Sequence, residues 1–310
     1  MRTLFTLLCG LLLWSCKPYS NATMRPEQIT YERFRESQKT FSSPEGNIAY
    51  IDKGQGPVIL LLHGVPTSGW LYRKMIDPLV DGGYRVIAPD MLGFGSSDSP
   101  KGYEIYSEEM HAKRLLELMD HLHIESWTHV MHDAGGLWTW ELLGHNNAHK
   151  IDNLVILNTI ILEDGFHPPI RFKPGFYAKA ATWSYRNGIT TNLMLKALFK
   201  AGLKENNLNK EDIAGYKTPL KEGKTRAMYY FYSQTSNHLT DYRPMIQNLN
   251  IPATVIWGKD DEFLKWLPQK AELEKDFNLS SDDEHLLDAK HFIQEEQPEK
   301  IVEIILNFLK

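Results

Sequence analysis

The stretch MHDAGG, Met131 to Gly136, stands between an apolar run and a segment with helical character. An aspartate, Asp133, thus sits where a strand turns sharply into a helix, and three more short segments occupy the same kind of place. His63-Gly64-Val65-Pro66 follows the apolar run Val58–Leu62, Gly258-Lys259-Asp260-Asp261 follows Ala253–Trp257, and Ala289-Lys290-His291-Phe292 follows Glu284–Leu287. With Asn47–Asp52, Tyr84–Ala88, Trp127–Met131 and Asn153–Leu157, these runs make seven strand candidates separated by longer helical patterns. Near-continuous apolar runs are what strands buried on both faces require, and the alternation is that of a mostly parallel sheet with helices on both faces. The four loops then gather at one edge of that sheet.

Between the strands, Ser107 is placed to cap a helix whose first turn holds Glu108 and Glu109. Leu115, Leu118, Met119 and Leu122 give that helix one apolar face. The rhythm breaks over residues 159–247, where no strand pattern occurs and aromatics such as Trp183, Tyr185, Tyr229, Tyr232 and Tyr242 accumulate. A helical insertion is expected there, lying as a cap over the carboxyl ends of the strands. The core is expected over 41–158 and 248–310. A chain of 310 residues, 42% hydrophobic and 24% charged, has ample material for such a core, and a formal net charge of −5 gives no electrostatic case for a nucleic-acid partner.

The N-terminus reads differently. Arg2 precedes the apolar run Leu4–Trp14, too short to span a bilayer, and Ser15-Cys16 follows. Residues 1–16 are expected to be an export signal of lipoprotein type, with Cys16 receiving the lipid. That predicts an exported protein held to a membrane by its anchor, or otherwise secreted. Residues 17–40, polar and proline-containing over KPYSNATMRPEQIT, are expected to be the tether. Cys9 and Cys16 are the two cysteines of the chain, so a processed protein has no disulfide.

Nucleophile, acid and histidine in the order Asp133, Asp261, His291 follow the chain order used by α/β-hydrolases. An aspartate in the nucleophile's seat changes the chemistry. Its free pKa of ~3.9 leaves it ionised near neutrality, able to attack a saturated carbon without a base and form an alkyl ester on its own side chain. His291 then takes a proton from the water that opens the ester, Asp261 orients the imidazole, and the backbone N–H groups of Val65 and Ala134 receive the oxyanion. This chemistry calls for no cofactor and no metal. His132 is read as a packed core residue, and His145 and His149 as surface residues rather than a metal pair, because the Glu of an HExxH motif is absent.

LLHGVPTSGWLYRKMIDPLVDGGYRVIAPDMLGFGSSD (61–98), with MHDAGG, WGKDDEFL and DAKHFIQEEQPE, resembles haloalkane dehalogenases and their relatives the epoxide hydrolases. The resemblance runs from about residue 45 to the C-terminus and implies the α/β-hydrolase fold, a mostly parallel sheet with an inserted helical cap, acting on a small apolar haloalkane or epoxide and water. Dehalogenases usually carry Trp after the nucleophile, where this chain has Ala134, and some use Asn where Val65 stands. ATWSYRNG resembles the stretch that brings a second halide-binding Trp, making Trp183 the matching position. Epoxide hydrolases instead donate from cap tyrosines, for which Tyr242 in LTDYR matches one and Tyr185 or Tyr177 a second. The two reactions stay open at this level. A binding protein of the same fold is the alternative of another class; an intact nucleophile, acid and histidine weigh against it.

Overall fold

The computed structural model describes residues 29–310, so the export segment, Cys16 and the first half of the expected tether, 17–28, lie outside the described residues. Eight strands form one sheet in the order β1-β2-β4-β3-β5-β6-β7-β8, with β1 (Lys39–Ser43), β2 (Gly46–Lys53), β3 (Val58–Leu62), β4 (Arg85–Pro89), β5 (Trp127–Asp133), β6 (Ile151–Thr159), β7 (Ala253–Gly258) and β8 (Glu284–Leu287). β1 and β2 pair antiparallel to each other and β2 to β4; all pairings from β4 to β8 are parallel. The seven expected strands are all present. The eighth, β1, carries a single apolar residue, Phe41, among exposed neighbours, so it has no burial pattern to read.

Helices α1 (Tyr31–Glu36), α2 (Arg73–Asp81), α3 (Glu108–His121) and α4 (Gly135–Leu142) precede β6; α10 (Lys270–Asp276), α11 (Ile293–Glu296) and α12 (Pro298–Phe308) follow β7. Ser107 caps α3 by accepting from the Met110 N–H at 3.3 Å, and Leu115, Leu118 and Met119 are buried. The central strands are dry: Ile59, Leu60, Leu61 and Leu62 of β3 are fully buried. At roughly 1.5–3 kcal/mol for each such side chain, this sheet interior holds the fold together.

The expected tether ends earlier than residue 40. Thr30 caps α1, and Tyr31 and Phe34 set their rings edge-on to the buried Trp70, at 5.3 and 5.2 Å. Two aromatics three positions apart on one helical face were enough to dock a segment whose charged residues Glu32, Arg33 and Arg35 disguised it.

Between β6 and β7 the chain builds α5 (Phe176–Ser184), α6 (Gly188–Gly202), α7 (Lys210–Lys221), α8 (Arg226–Ser233) and α9 (Arg243–Ile246), with no strand among the described residues of this segment. A buried ion cluster fastens this insertion to the core. Arg73 of α2 donates to Asp212 of α7 at 2.6 Å and to both carboxylate oxygens of Glu295 in α11, at 2.5 and 2.8 Å.

Candidate active site

Parallel register brings the ends of β3, β5, β6, β7 and β8 to one edge: Leu62 pairs with Met131, Asp133 with Thr159, and Gly258 with Leu287. There Asp133 takes φ = 52°, in the left-handed region that Asp and Asn tolerate best among side-chain-bearing residues. Its carbonyl is pinned by the Thr159 hydroxyl at 2.7 Å and the Ile160 N–H at 3.1 Å. The neighbouring glycines are required by contact. A Cβ on Gly64 would strike the Asp133 carboxylate, and one on Gly135 would meet the carbonyl oxygens of His63 and Leu62 at 2.7 and 2.9 Å. The strand-to-helix turn is therefore tight enough to hold the carboxylate against the β3 loop.

Asp133, His291 and Asp261 meet. The His291 Nδ1 lies 2.9 Å from Asp261 Oδ2, and its Nε2 lies 3.6 Å from Asp133 Oδ2. Asp261 is fixed on its other side by the N–H groups of Phe263 and Leu264, which donate to Oδ1 at 2.8 and 3.1 Å. Asp260, its rival in the sequence, is exposed and paired with Lys204 at 2.8 Å. A Cβ on Gly258 would collide with the Lys290 carbonyl, so glycine there lets the histidine loop close on the acid loop.

Asn158, where the sequence offered no charge, is buried at the end of β6 and donates to Asp261 Oδ2 at 2.6 Å while accepting from the Gly258 N–H at 2.9 Å. It joins the elbow strand's neighbour to the acid loop, a role that nothing in its local sequence announces. His132 is buried, stacked on His291 at 4.7 Å between ring centroids, with Nε2 3.0 Å from the His291 carbonyl oxygen. Burial and the neighbouring His291 hold His132 well below the usual imidazole range, so it stands as a neutral spacer. His145 and His149 are both exposed.

The electrostatics of the three groups are coupled. Burial pushes the Asp133 carboxyl above its ordinary pKa, opposed by the His291 charge and by the N–H groups of Ala134 and Val65. Val65 N–H donates to Asp133 Oδ1 at 2.7 Å. Burial works to lower His291, but the charge and hydrogen bond of Asp261 and the charge of Asp133 outweigh it and raise the imidazole above its ordinary value. A carboxylate that keeps its charge beside two N–H donors, with an imidazole behind it, can attack carbon and later have its ester hydrolysed.

The hollow in front of Asp133 and His291 is apolar, walled by Val65, Phe166, Pro168, Pro169, Leu198, Phe231, Phe263 and Leu264, and one further residue, Tyr232 of α8. Burial, then Asp133 and Tyr185 nearby, hold the Tyr232 phenol far above its usual range, so it stays a proton donor. The aromatic run over Tyr229–Tyr232 is visible in the sequence; which tyrosine faces the site depends on the rotation of α8. Tyr229 stacks instead on Tyr103, at 4.4 Å.

Other expected contacts lie elsewhere. Trp183 is 64% exposed and borders a separate hollow with Lys179, Arg186 and Arg226, and Tyr177 is 88% exposed. The Tyr242 hydroxyl donates to Glu141 Oε2 of α4 at 2.7 Å, which ties it away from Asp133. Tyr185 is half-buried, close enough to Tyr232 to influence its phenol, and is absent from the pocket wall. Helix length and packing decide these positions, and motif likeness alone could not.

Residues 57–298 match the family model of the alpha/beta hydrolase fold. Among curated relatives, the chain is 27% identical over 289 residues to the AB hydrolase superfamily protein YfhM of Bacillus subtilis, covering 85% of this chain and 94% of that one. It is 29% identical over 284 residues to haloalkane dehalogenase 2 of Mycobacterium tuberculosis, covering 86% and 92%. Among solved structures, the epoxide hydrolase VrEH1 of Vigna radiata superposes with a TM-score of 0.69 at 21% identity, over 88% of this chain and 98% of that one, a likeness of fold. The topology, the elbow and the family match agree: the chain belongs to the α/β-hydrolase fold family and is a hydrolase.

Proposed function

We propose that this hydrolase opens an epoxide to a diol by way of an alkyl ester on Asp133. The observation that carries the reading is the pocket's donor set. A protonated Tyr232 hydroxyl shares the apolar hollow with Asp133, whereas the positions where a dehalogenase would hold its halide are Ala134 and Val65, and Trp183 stands away from the site. An oxygen leaving group needs a proton as its bond to carbon breaks; a halide needs N–H donors and no proton.

In this mechanism an Asp133 oxygen attacks a ring carbon, the carbon–oxygen bond breaks, and Tyr232 gives its proton to the leaving oxygen. Water then attacks the ester carbonyl while His291 Nε2 takes its proton, held in the right tautomer by Asp261 at Nδ1. The oxyanion on the former Asp133 carboxyl faces the Val65 and Ala134 N–H groups, which support it; collapse releases the diol and restores the carboxylate. His291 passes its proton back to Tyr232. The helical insertion over 159–247 serves as the cap that carries Tyr232 and excludes bulk water.

A second reading, haloalkane hydrolysis through the same ester, is favoured by the 29% identity to a haloalkane dehalogenase over 92% of that protein's length. One single-turnover experiment in oxygen-18 water tests the ester common to both: the heavy isotope is expected in the peptide containing Asp133, and its absence there refutes the mechanism. Export and lipidation at Cys16 remain a proposal of the sequence, tested by membrane association of Cys16→Ser.

A further inference from the structure

We infer that the outer face of the α5–α6 pair is a docking surface for an anionic lipid membrane. Eight large hydrophobic side chains are substantially exposed among the described residues. Six of them, Ile170, Phe176, Tyr177, Trp183, Ile189 and Leu193, fall within 24 consecutive positions. Phe176 and Trp183 lie seven apart on α5, and Ile189 and Leu193 four apart on α6, so each helix shows an apolar stripe to solvent while its inner face holds buried residues such as Ala178, Thr182, Leu195 and Phe199. Soluble surfaces seldom concentrate apolar side chains in this way without a partner.

Charge selects the partner. From Gly165 to Lys204 the chain has seven lysines and arginines and no aspartate or glutamate, although the whole chain carries −5; Arg171 is paired with Glu163 and Lys204 with Asp260 and Asp288, which leaves Lys173, Lys179, Arg186, Lys196 and Lys200. Lys179, Arg186 and Arg226 border the hollow beside Trp183, with the rings of Tyr103 and Tyr229 behind it. Lysine and arginine interleaved with exposed Trp, Tyr, Phe and Leu are the composition of a surface that lies in the headgroup region of a bilayer, the apolar groups inserting and the cations meeting lipid phosphates. No helix among the described residues is long and apolar enough to cross a membrane, so this is contact in the plane of the interface. A second copy of the chain would bring one basic face against another and is disfavoured by the same charges. α6 also contributes Leu198 to the pocket in front of Asp133, so the lipid-facing helix is itself a wall of the site.

Trp183 supplies the readout. Of the seven tryptophans among the described residues the other six, Trp70, Trp127, Trp138, Trp140, Trp257 and Trp266, are buried. Protein lacking residues 1–16, and so lacking Trp14 and the expected lipid on Cys16, is mixed with phosphatidylcholine vesicles with or without phosphatidylglycerol, the acyl chains carrying bromine as a fluorescence quencher. The expected result is a quenched component that requires phosphatidylglycerol, weakens in high salt and disappears in Trp183→Phe. Partitioning should fall about fivefold for each positive charge removed, as in Lys173→Gln and Lys196→Gln, with hydrolysis of a water-soluble substrate unchanged. Quenching that is the same in Trp183→Phe as in the natural protein overturns the proposal. So does loss of self-association, with unchanged vesicle binding, in Phe176→Ser/Leu193→Ser, because the face would then join two copies of the chain.

Discussion

Tyr232→Phe is the change that separates the two leaving groups. The substitution removes one hydroxyl from a wall otherwise built of Phe, Pro, Leu and Val side chains. It leaves no cavity, so the fold should tolerate it within about 1 kcal/mol. What it removes is the hydroxyl on the wall of the hollow that holds Asp133. Loss of one such donor to a developing oxyanion costs roughly 2.7–4 kcal/mol, or about 10²–10³ in rate. Tyr185, half-buried, does not line the pocket and should not substitute. The assay is rapid-quench measurement of ester formation with a styrene-type epoxide, run beside bromide release from a terminal bromoalkane. Ring opening is expected to slow by about 10²–10³ while any bromide release is unchanged. Equal loss on both substrates would assign Tyr232 a shape-keeping role, and an unaffected epoxide would remove the observation on which the proposed function rests.

Other changes test the remaining parts. His291→Gln should slow ester hydrolysis by about 10²–10⁴, so that mass spectrometry finds the Asp133 peptide carrying the substrate's mass; an enzyme that never accumulates the adduct contradicts the general-base assignment. Because Asn158 Nδ2 lies 2.6 Å from the Asp261 oxygen that the imidazole also meets, Asp261→Asn should lose most turnover and Asp261→Asn/Asn158→Asp should recover part of it; a double variant no better than the single one refutes that geometry. Arg73→Ala takes the guanidinium from two buried carboxylates, leaving Lys74 and Tyr216 beside Glu295 and the Asn209 N–H on Asp212, and should destabilise the protein by about 3 kcal/mol in urea unfolding. Against burial, the Asn209 N–H, Arg73 and Lys74 hold Asp212 below its ordinary pKa, and Arg73 and Lys74 do the same for Glu295. That stability is therefore present above pH ~4 and lost as the pH falls through their folded values, so the two proteins should converge in strong acid.

The sheet was legible because buried parallel strands are nearly all apolar, and a pattern that simple survives without any knowledge of neighbours. The same holds for Asp133, Asp261 and His291, whose positions are fixed by strand ends. β1 and α1 were not legible, since each shows the core only one or two side chains, Phe41 in one and Tyr31 with Phe34 in the other. In the helical insertion the difficulty is geometric. Tyr230 and Tyr232 stand two residues apart, about 200° around a helix, so the rotation of α8 decides which of them reaches the pocket, and sequence likeness at Tyr242 could not reveal that Glu141 captures its hydroxyl. Asn158 shows a third limit: its value lies in joining Asp261 to Gly258, about a hundred residues downstream, and no local pattern encodes that.

Forming the ester should itself prepare the base that destroys it. In the resting enzyme His291 faces Asp261, Asp133 and the neutral His132, and burial is outweighed by the two carboxylates, which raise the imidazole above its ordinary value. Alkylation turns Asp133 into a neutral ester and leaves the charge on the Tyr232 phenolate across the hollow, which any His291 imidazolium can reprotonate; once the phenol is restored, burial and Asp261 stay. The pKa of His291 must then fall, releasing a proton from any imidazolium just when a neutral base is needed. Coulomb's law with an effective dielectric of about 20 sets an upper bound of roughly 4–5 kcal/mol for unit charges at the 3.6 Å between Nε2 and Oδ2. Asp133→Asn imitates the uncharged state. NMR titration should place His291 lower in that variant than in the natural enzyme, and the acid limb of ester hydrolysis should lie below the resting enzyme's His291 midpoint. A midpoint that stays put or rises in Asp133→Asn would mean that the two side chains do not share a field, and the coupling of the two half-reactions through His291 would fall with it.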